Sequence, residues 1–417
     1  MVNRWVALRA RLDLPIHWVR RAVIPQALRS RRVARVAATP GVRRTLYIDL
    51  SVISVDDAGT GIQRVVRALA LILAREEPEG WDIRFVGASR TQPYHCISWG
   101  GSRYDSTVPM MMRARPGDVF VGLDYALDTV RWHRSQLSLF RRMGGQLWFL
   151  VHDLLPAHRP DWFSPLGVLR NRIWLDAVAA LGDGFLCNSY QTEADLAAEL
   201  RHYGLHPSMY QTCVLPMGYN IADALQAPAA PGYATAHDHI RALAGRPFFL
   251  VVGTLEPRKG HAELIRAFDL IWERGSNQRL VLIGRLGWRV EALKKTIIDH
   301  LEYGRRLIWL DDIDDVTLME AYRACEGVLV ASLAEGFGLT LIEALGYGKP
   351  VLARDLPVFQ QHAGEGVRYF PVDASPEVLA DHILQWREAI RAGVVVVRTP
   401  RSQWREAAQI LLAAVTS

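Results

Sequence analysis

Short apolar runs alternate with helix-like patterns from residue 45 onward, and they do so in two separate series. The first series predicts strands at 46–52, 82–87, 118–122, 147–151 and 184–188, with helices at 62–75, 127–142, 162–181 and 192–203. The second series predicts strands at 248–253, 279–284, 306–310, 327–331 and 351–353, with helices at 261–274 and 290–303. This alternation is typical of a parallel sheet that helices cover on both faces. An α/β protein with two doubly wound sheets is therefore predicted.

The composition changes between the two series, where residues 227–236 are rich in proline, alanine and glycine, as linkers are. The predicted divisions are a basic arm at 1–44, a first Rossmann-like domain at 45–225, a linker at 226–245, a second Rossmann-like domain at 246–400 and a C-terminal helix at 401–417. A crossing of that last helix back to the first domain is one option. Ligands of such sheets bind outside the carboxyl ends of the strands, so we expect the site in a cleft across which the domains face each other.

The positive charge of the chain is concentrated at its N-terminus. Residues 1–44 contain eleven arginines and one acid, Asp13, for a local charge of +10, whereas the whole chain carries +6. The body of the protein is therefore mildly acidic, which argues against a nucleic-acid-binding fold and for a basic arm. Apolar residues recur in the arm at the three- and four-residue steps of an amphipathic helix, namely Trp5, Leu8, Leu12, Ile16, Val19 and Val23.

Such an arm fits the surface of an anionic membrane, because anionic lipid attracts arginine and the interface accepts tryptophan. The alternatives are a helix packed on the body of the protein and a disordered tail. No apolar stretch approaches the roughly 20 residues of a membrane span. The four cysteines show no paired spacing, which is typical of buried thiols in a reducing compartment. We therefore expect a cytoplasmic protein, with a peripheral position on the inner face of the membrane as an option.

The segment from Glu335 to Glu343 carries the strongest indication of chemistry. It follows the predicted strand at 327–331 and opens a predicted helix. Gly336 and Gly338 permit close approach of a ligand where a helix N-terminus presents free N–H groups, and this favours an anion. The spacing of the two carboxylates is a little over two helical turns, which would put them on one side. An ordinary helix start with two solvated acids is the alternative.

A second segment, residues 252–261, combines a strand end, a glycine turn and two cations. Gly253 follows the strand, Arg258 and Lys259 supply positive charge, and Gly260 opens the next helix. This composition predicts a phosphate site. The chain has neither the GxxxxGK[ST] of a P-loop nor a GxGxxG after a strand. Two solvated surface cations are the alternative.

Taken together, the two segments resemble those of the retaining, GT-B-fold glycosyltransferases of family 4 (group 1), which use nucleotide-sugar donors. The resemblance covers most of the chain after about residue 45 and is densest from 246 to 370. Residues 253–259, Gly-Thr-Leu-Glu-Pro-Arg-Lys, look like the mannosyl- and related transferases of surface polysaccharide assembly. The pair of motifs is specific, whereas each half alone is not.

The resemblance implies a role for each matching position in the second half of the chain. Lys259, with Arg258 beside it, would bind the donor diphosphate, and Glu335 would approach the sugar hydroxyls. The remaining donor-binding positions would be Gly253, the amides of Gly336, Phe337 and Gly338 along the sugar, those of Leu339 and Thr340 at the phosphate, Glu343 at the ribose, and the backbone at Asp312 and Ile313 near the base. Thr254 departs from the family, because many members have arginine there.

The first half of the chain has matching pieces. Residues 57–64 resemble the glycine-bearing loop that closes over the donor phosphates, so Gly61 joins the donor-binding set. His152, at the end of a predicted strand, matches the family histidine near the transferring sugar. Together with Lys259 and Glu335 it completes the predicted catalytic set. A simple strand–helix turn and a structural histidine are the alternatives.

The stretch 311–315, Asp-Asp-Ile-Asp-Asp, contains a DxD pattern that holds a divalent metal in a different glycosyltransferase fold. Aspartates before a helix are also the expected N-cap residues, and we favour that interpretation. The sequence therefore predicts no metal site and no cofactor, with the nucleotide-sugar as a co-substrate.

The predicted function is transfer of a sugar, with mannose as an option, from a nucleotide diphosphate-sugar to a glycan or lipid-linked glycan in surface polysaccharide biosynthesis. The anomeric configuration would be retained, as the resemblance implies. One alternative is a nucleotide-sugar epimerase of the same fold. Another is a catalytically silent homologue that binds nucleotide-sugar or glycan and acts as a scaffold in a membrane-side assembly complex. No nucleic-acid partner is expected.

The arm provides a test of membrane binding. If residues 1–44 dock on anionic bilayer, each arginine near the surface contributes about 1 kcal/mol, an effect that salt screens. Deletion of residues 1–40 should then abolish co-sedimentation with anionic liposomes. Transfer to a soluble acceptor analogue should survive, since no proposed site residue precedes Gly59. Loss of folding on truncation, together with no liposome binding by the full chain, would show that the arm is part of the core.

Overall fold

The structure, a computed structural model, describes residues 41–99, 110–224, 240–241, 243, 245–311 and 313–417. Contacts divide the chain into two compact units. The first runs to residue 217 without residues 59–61 and takes in residues 404–417, and the second consists of residues 59–61 and 218–403. The arm up to residue 40, most of the predicted linker and Asp312 lie outside the described residues.

The first unit is built on a seven-stranded sheet with the order β3-β2-β1-β4-β5-β6-β7. The strands are β1 Arg44–Asp49, β2 Trp81–Gly87, β3 His95–Cys96, β4 Val119–Gly122, β5 Gln146–Val151, β6 Gly184–Cys187 and β7 Gln211–Val214. Neighbouring strands are parallel except for β2 and β3. The five predicted strands are confirmed. The sequence analysis missed β3 and β7, which are short or have a polar, solvent-facing pattern at the two edges.

Helices cover this sheet, as the alternation predicted. They are α1 Gly61–Leu73, α2 Leu127–Trp132, α3 Arg134–Arg142, α4 Leu155–His158, α5 Pro165–Leu181 and α6 Tyr190–His202, with α12 Trp404–Thr416 at the end of the chain. The single helix predicted at 127–142 is wrong, because the backbone leaves the helical region at His133. The ring of His133 bonds the carbonyl oxygen of Ser89 at 2.6 Å, and this contact holds the break in place.

The second unit is built on a six-stranded parallel sheet with the order β10-β9-β8-β11-β12-β13. The strands are β8 Phe248–Val252, β9 Arg279–Ile283, β10 Leu307–Leu310, β11 Gly327–Val330, β12 Val351–Arg354 and β13 Val367–Phe370. Numbered by appearance within the unit, the order is 3-2-1-4-5-6, which is that of the Rossmann fold. The direction of winding reverses between β8 and β11, and ligands of such sheets bind at that point.

The helices of the second unit are α7 His261–Glu273, α8 Glu291–Ile298, α9 Asp315–Ala324, α10 Leu339–Gly346 and α11 Pro376–Arg391. The helix predicted at 290–303 ends early at Ile298. The residues after it turn around His300, whose ring bonds Asp269 on α7 at 2.8 Å and accepts from the amide of Glu302 at 3.1 Å. None of the helices in the described part of the chain is both long and apolar enough to cross a membrane.

Two buried carboxylates organise the carboxyl edge of the first sheet. Asp49 is fully buried and accepts hydrogen bonds from the hydroxyl and amide of Ser51, at 2.5 and 2.9 Å, and from the hydroxyl of Tyr94 at 3.2 Å. Asp124 accepts from the amides of Val52 and Ile53, both at 2.7 Å. Burial raises the pKa of Asp49 from 3.8 to about 7. The hydrogen bonds from Ser51 lower this pKa, whereas the charge of Asp124 raises it further.

This shift makes stability depend on pH. The folded state binds the proton on Asp49 more tightly than the unfolded chain does. Its stabilising effect is therefore complete below about pH 4 and is lost as the pH rises through about 7. The melting temperature of Asp49→Asn should thus fall less between pH 5 and pH 8 than that of the wild type. Asp82→Asn, in β2 of the same sheet, should follow the wild type, and equal pH slopes for all three proteins would contradict the assignment.

Candidate functional site

Gly253 follows β8 and lies under the side chain of Lys259. Its φ of +141° is rarely adopted by other residues, and an added Cβ would lie 3.6 Å from Lys259 Nζ. Gly284, which follows β9, packs so closely that a Cβ there would come within 2.0 Å of the Gly253 carbonyl oxygen. The two glycines let neighbouring strand ends meet without side chains between them. The ammonium group of Lys259 is therefore held directly over the end of β8.

Lys259 and Arg258 converge on the carboxylate of Glu335, although 76 residues separate Lys259 from Glu335. Lys259 Nζ donates to Glu335 Oε1 at 2.5 Å, and Arg258 Nη1 donates to Oε2 at 2.9 Å. The hydroxyl of Ser332 also donates to Oε1, at 2.6 Å. On its other side Arg258 pairs with Glu256 at 2.7 Å. Three of the predicted site residues thus form one ion-paired cluster between the ends of β8 and β11.

The cluster keeps Glu335 ionised. Burial alone would raise the pKa of this carboxyl, but the nearby charges of Lys259 and Arg258 outweigh it and lower the pKa from 4.5 to about 2. Glu335 is therefore an anion throughout the physiological range. A carboxylate bonded to two cations and one hydroxyl is a poor base and a restrained nucleophile, whereas it can still accept hydrogen bonds from a ligand's hydroxyl groups.

The N-terminus of α10 lies at the same edge of the sheet. Gly338 caps it with φ +93°, and a Cβ at this position would lie 2.3 Å from the ring of Phe359. The hydroxyl of Thr340 donates to the carbonyl oxygen of Val252 at 3.2 Å, which ties the first turn of the helix to the end of β8. The amides of a first helical turn have no intrahelical partner, and the helix dipole favours an anion there. The segment predicted to line sugar and phosphate, residues 336–340, is thus placed beside the cluster.

Glu343, on the second turn of α10, faces the interior of the unit. Its side chain is 1% exposed, and one carboxylate oxygen accepts from the hydroxyl of Tyr322 at 2.8 Å. Tyr322 is itself stacked on Tyr347 with ring centroids 5.2 Å apart. The ribose contact remains a prediction.

Asp314 accepts a hydrogen bond from the amide of Thr317 at 2.7 Å, so the predicted N-cap before α9 is confirmed. Ile313 is the residue before this cap. No group of three side chains suited to a metal ion occurs within the described ranges.

In the first unit, His152 follows β5 and is 3% exposed. Burial lowers the pKa of His152 to about 4, so the imidazole is neutral at physiological pH. The ring packs edge-on against Tyr125, with centroids 6.1 Å apart, and the carbonyl oxygen of His152 accepts from Asn188 at 2.7 Å. Its Nε2 has no hydrogen-bond partner among the residues that the structure describes. A buried nitrogen without a partner costs about 1–3 kcal/mol.

The loop before α1 is held by charge. Arg67 on α1 pairs with Asp57 at 2.5 Å, and the side-chain amide of Gln63 donates to the carbonyl oxygen of Asp56 at 2.7 Å. Gly61 is the exposed first residue of α1, and Gly59 adopts φ +66°. The start of the predicted phosphate-closing loop is therefore tied to α1 by Gln63, which lies within the predicted segment, and by Arg67, which the sequence analysis did not single out.

Sequence reasoning missed two other contributors to the cluster. Ser332 bonds Glu335, and Glu256 orients Arg258. Glu256 lies inside the 253–259 pattern and could have been found as the acid next to two cations. Ser332 has no comparable signal, because its role depends only on how the chain turns after β11.

The chain shares sequence with known glycosyltransferases. Residues 235–408 match the family described as glycosyl transferases group 1. Over 386 residues the chain is 33% identical to the serotype-specific mannosyltransferase WbdA of Escherichia coli, a match that covers 88% of this chain and 46% of that protein. A phosphatidyl-myo-inositol mannosyltransferase of Mycolicibacterium smegmatis is 29% identical over 193 residues, which are 45% of this chain and 46% of that protein. The chain therefore spans less than half the length of these relatives.

Solved structures share the fold at low sequence identity. Sucrose-phosphate synthase from Thermosynechococcus elongatus is similar with a TM-score of 0.59 and 22% identity, over 90% of this chain and 96% of that one. Anabaena HepE, solved in complex with UDP and glucose, is similar with a TM-score of 0.56 and 16% identity, over 89% of this chain and 97% of that one. WaaG, a glycosyltransferase involved in lipopolysaccharide biosynthesis, is similar with a TM-score of 0.52 and 16% identity, over 88% of this chain and 95% of that one. The GT-B fold class predicted from the sequence is thereby confirmed.

Substitution of Asp314 separates a helix cap from a metal ligand. Asp314→Ala should lower the free energy of unfolding by about 1 kcal/mol in urea titrations, because α9 loses its cap. Asp314→Ser keeps an oxygen acceptor and should cost clearly less. Excess chelator should leave the stability of the wild type unchanged. Reversible destabilisation by chelator, or a manganese site that Asp314→Ser abolishes, would show that the aspartates bind metal.

Proposed function

We propose that the chain moves a hexose from a nucleotide diphosphate-sugar to a hydroxyl of a glycan, and the match of residues 235–408 to the group 1 glycosyl transferases supports this. The observation that supports this best is the cluster of Lys259, Arg258 and Glu335 beside the N-terminus of α10. It combines cations and amides for a diphosphate with a carboxylate for sugar hydroxyls. It also lies where the winding of the sheet reverses, the place where such folds bind nucleotides.

Mannose is the sugar that we propose, and a surface glycan or lipid-linked glycan is the proposed acceptor. Support comes from the names of the relatives, which are mannosyltransferases of O-antigen chains and of phosphatidyl-myo-inositol. The match to WbdA extends over most of this chain, so it includes both units. For the donor, a diphosphate is what the cluster suits, and no base is favoured by the residues that the structure describes.

The proposed reaction breaks the bond between the anomeric carbon and the phosphate oxygen and forms a bond from that carbon to the acceptor oxygen on the same face. The acceptor proton passes to the departing phosphate. Lys259, Arg258 and the amides of α10 stabilise the charge that develops on the diphosphate. No covalent sugar intermediate is proposed on Glu335, because two cations and Ser332 hold its oxygens. Retention of configuration follows from this route.

In the proposal, His152 contacts a hydroxyl of the transferring sugar through Nε2. Its low pKa supports a role as a neutral hydrogen-bonding group and not as an acid–base catalyst near pH 7. The kcat/KM profile would accordingly show no inflection that His152 causes near its ordinary pKa.

We further propose that the enzyme works in the cytoplasm at the inner face of the membrane. The basic arm, whose residues up to 40 lie outside the described part of the chain, would hold it on anionic lipid. A lipid-linked acceptor would then be reached in the plane of the bilayer.

A donor panel tests the function. GDP-, UDP- and dTDP-sugars are screened for thermal stabilisation and for hydrolysis, and the productive donor is then assayed with a soluble mannoside. Lys259→Ala and Glu335→Ala should each lower kcat/KM at least ~10²-fold without unfolding, because each removes an interaction with developing charge or with the sugar. Lys295→Ala removes an exposed lysine paired with Asp299 and is the control. Near wild-type turnover in either site variant would remove that residue from the mechanism.

The products decide between the candidate functions. A mannoside lengthened by one hexose supports transfer, whereas an altered sugar on the nucleotide would support an epimerase. Donor binding without either product would support a silent scaffold.

Glu343 is tested by a different kinetic pattern. A ribose contact binds substrate and transition state equally, so Glu343→Ala should raise the donor KM more than it lowers kcat. Tyr322→Phe removes the buried hydroxyl that Glu343 accepts from and keeps the ring stacked on Tyr347. It should leave the donor KM within about threefold of the wild type. A collapse of kcat alone in Glu343→Ala would show that the ribose role is wrong.

A further inference from the structure

Arg354, the last residue of β12, carries a fully buried guanidinium group. The residue is 1% exposed and is among the largest buried side chains in the described part of the chain. Arginine remains charged at all physiological pH values, so a buried one requires partners for its charge and its N–H groups. The identity of those partners indicates what the residue is for.

The guanidinium of Arg354 joins three other segments of the second unit. One nitrogen bonds the carboxylate of Glu263 in the first turn of α7, and a second bonds the carbonyl oxygen of Val372 after β13. Nε donates to the carbonyl oxygen of Ala331, which directly follows β11, at 3.2 Å. The group also lies over the ring of Phe370, 5.1 Å from its centroid. Two of these segments, α7 and the residue after β11, lead directly into the functional cluster.

The carbonyl group of Ala331 is held from both sides. Gly260, the residue after Lys259, adopts φ +70°, and a Cβ there would lie 2.3 Å from the Ala331 oxygen. Arg354 contacts the same oxygen from β12. The gap between the start of α7 and the end of β11 is therefore set by a backbone contact on one side and by Arg354 on the other.

This gap also sets the spacing of the cluster. Lys259 immediately precedes Gly260, and Glu335 is four residues beyond Ala331. Between them, the amide of Leu333 donates to the carbonyl oxygen of Arg258 at 2.7 Å. A shift of α7 relative to β11 would therefore change the position of the Lys259 ammonium relative to the Glu335 carboxylate.

We propose that Arg354 is a positioning residue for the Lys259–Glu335 pair, which it fixes through Glu263 and the carbonyl oxygen of Ala331. It touches no substrate, and its effect on transfer passes through the pair. This inference rests on the proposed function for its kinetic consequence. The proposed geometry, in which Arg354 fixes the position of the pair relative to a bound diphosphate, does not depend on the identity of the sugar or of the acceptor.

Lysine cannot replace arginine here, because a single ammonium group cannot span three acceptors that the planar guanidinium reaches at once. Arg354→Lys keeps the charge and leaves at least one buried acceptor unpaired. A displacement of about 1 Å at a reacting group can cost on the order of 10²-fold in rate. We therefore expect Arg354→Lys to lower kcat/KM for the productive donor of the panel at least ~10-fold, as such a displacement implies.

Arg306→Lys is the matched control. Arg306 lies in the same unit before β10, pairs with Glu302 at 2.8 Å and donates to the carbonyl oxygen of Ser276, also at 2.8 Å. It thus joins one acid and one main-chain oxygen, whereas Arg354 joins one acid and two. The contact of Arg306 with α7 is at the C-terminal end of that helix, where its guanidinium lies over the ring of Trp272, and not at the end that follows Lys259. If Arg354 served stability alone, the two substitutions would have similar consequences once matched for melting temperature.

A double-mutant cycle with Glu335→Gln gives the decisive readout. The account predicts that Arg354→Lys costs at least ~10-fold in the wild-type background and less than about threefold on top of Glu335→Gln. Arg306→Lys should cost little in either background. Equal losses from Arg354→Lys in both backgrounds, or a loss from Arg306→Lys as large, would overturn the proposal. If Arg354→Lys does not fold, Glu263→Gln, which keeps the shape of the partner and removes its charge, takes its place in the cycle.

The affinity for GDP is also measured by titration calorimetry for every protein in the double-mutant cycle, because this measurement needs no turnover. Coupling between Arg354 and Glu335 in GDP affinity without any sugar transfer would retain the inference and contradict the proposed function. Sugar transfer by the wild type with no coupling in either measurement would support the proposed function and contradict the inference. Wild-type protein that neither binds nor consumes any donor of the panel would contradict both.

Discussion

One interaction organises the second unit: the carboxylate of Glu335 is held between the ammonium of Lys259 and the guanidinium of Arg258, between the ends of β8 and β11. Buried charges are retained only where partners compensate for lost hydration, so this cluster requires both strand ends to approach closely. Gly253, Gly260 and Gly338 allow that approach, because each lies where a side chain would strain the backbone or meet a neighbour. The fold then presents cations, a carboxylate and the start of α10 at the point where the sheet reverses its winding.

The sequence predicted the architecture because the strands of a buried parallel sheet are continuous apolar runs, such as 248–252 and 327–330. It failed where tertiary contacts decide. The edge strand β7 is partly exposed and polar, β3 has two residues, and the helix at 127–142 breaks because His133 bonds a distant carbonyl group. Local sequence patterns do not reveal partners that are distant in the sequence.

The candidate site divides in the same way. Lys259, Arg258 and Glu335 could be predicted to converge, because each follows a strand that borders the reversal point. Ser332, Glu256 and Arg354 could not be assigned roles in advance, since their contacts depend on how loops and strands pack. Burial is the other property that the sequence does not give: Glu343 faces a tyrosine inside the unit, and His152 is buried deeply enough to stay neutral.

The most direct test of the central claim is the product formed from the productive donor of the panel and a soluble mannoside, analysed by mass spectrometry and by the anomeric signals in NMR. The account predicts one added hexose with retained anomeric configuration, formed by the wild type in excess chelator and formed with a kcat/KM at least ~10²-fold lower by Lys259→Ala. A product of inverted configuration, or transfer that persists undiminished in Lys259→Ala, would contradict the mechanism built on this cluster.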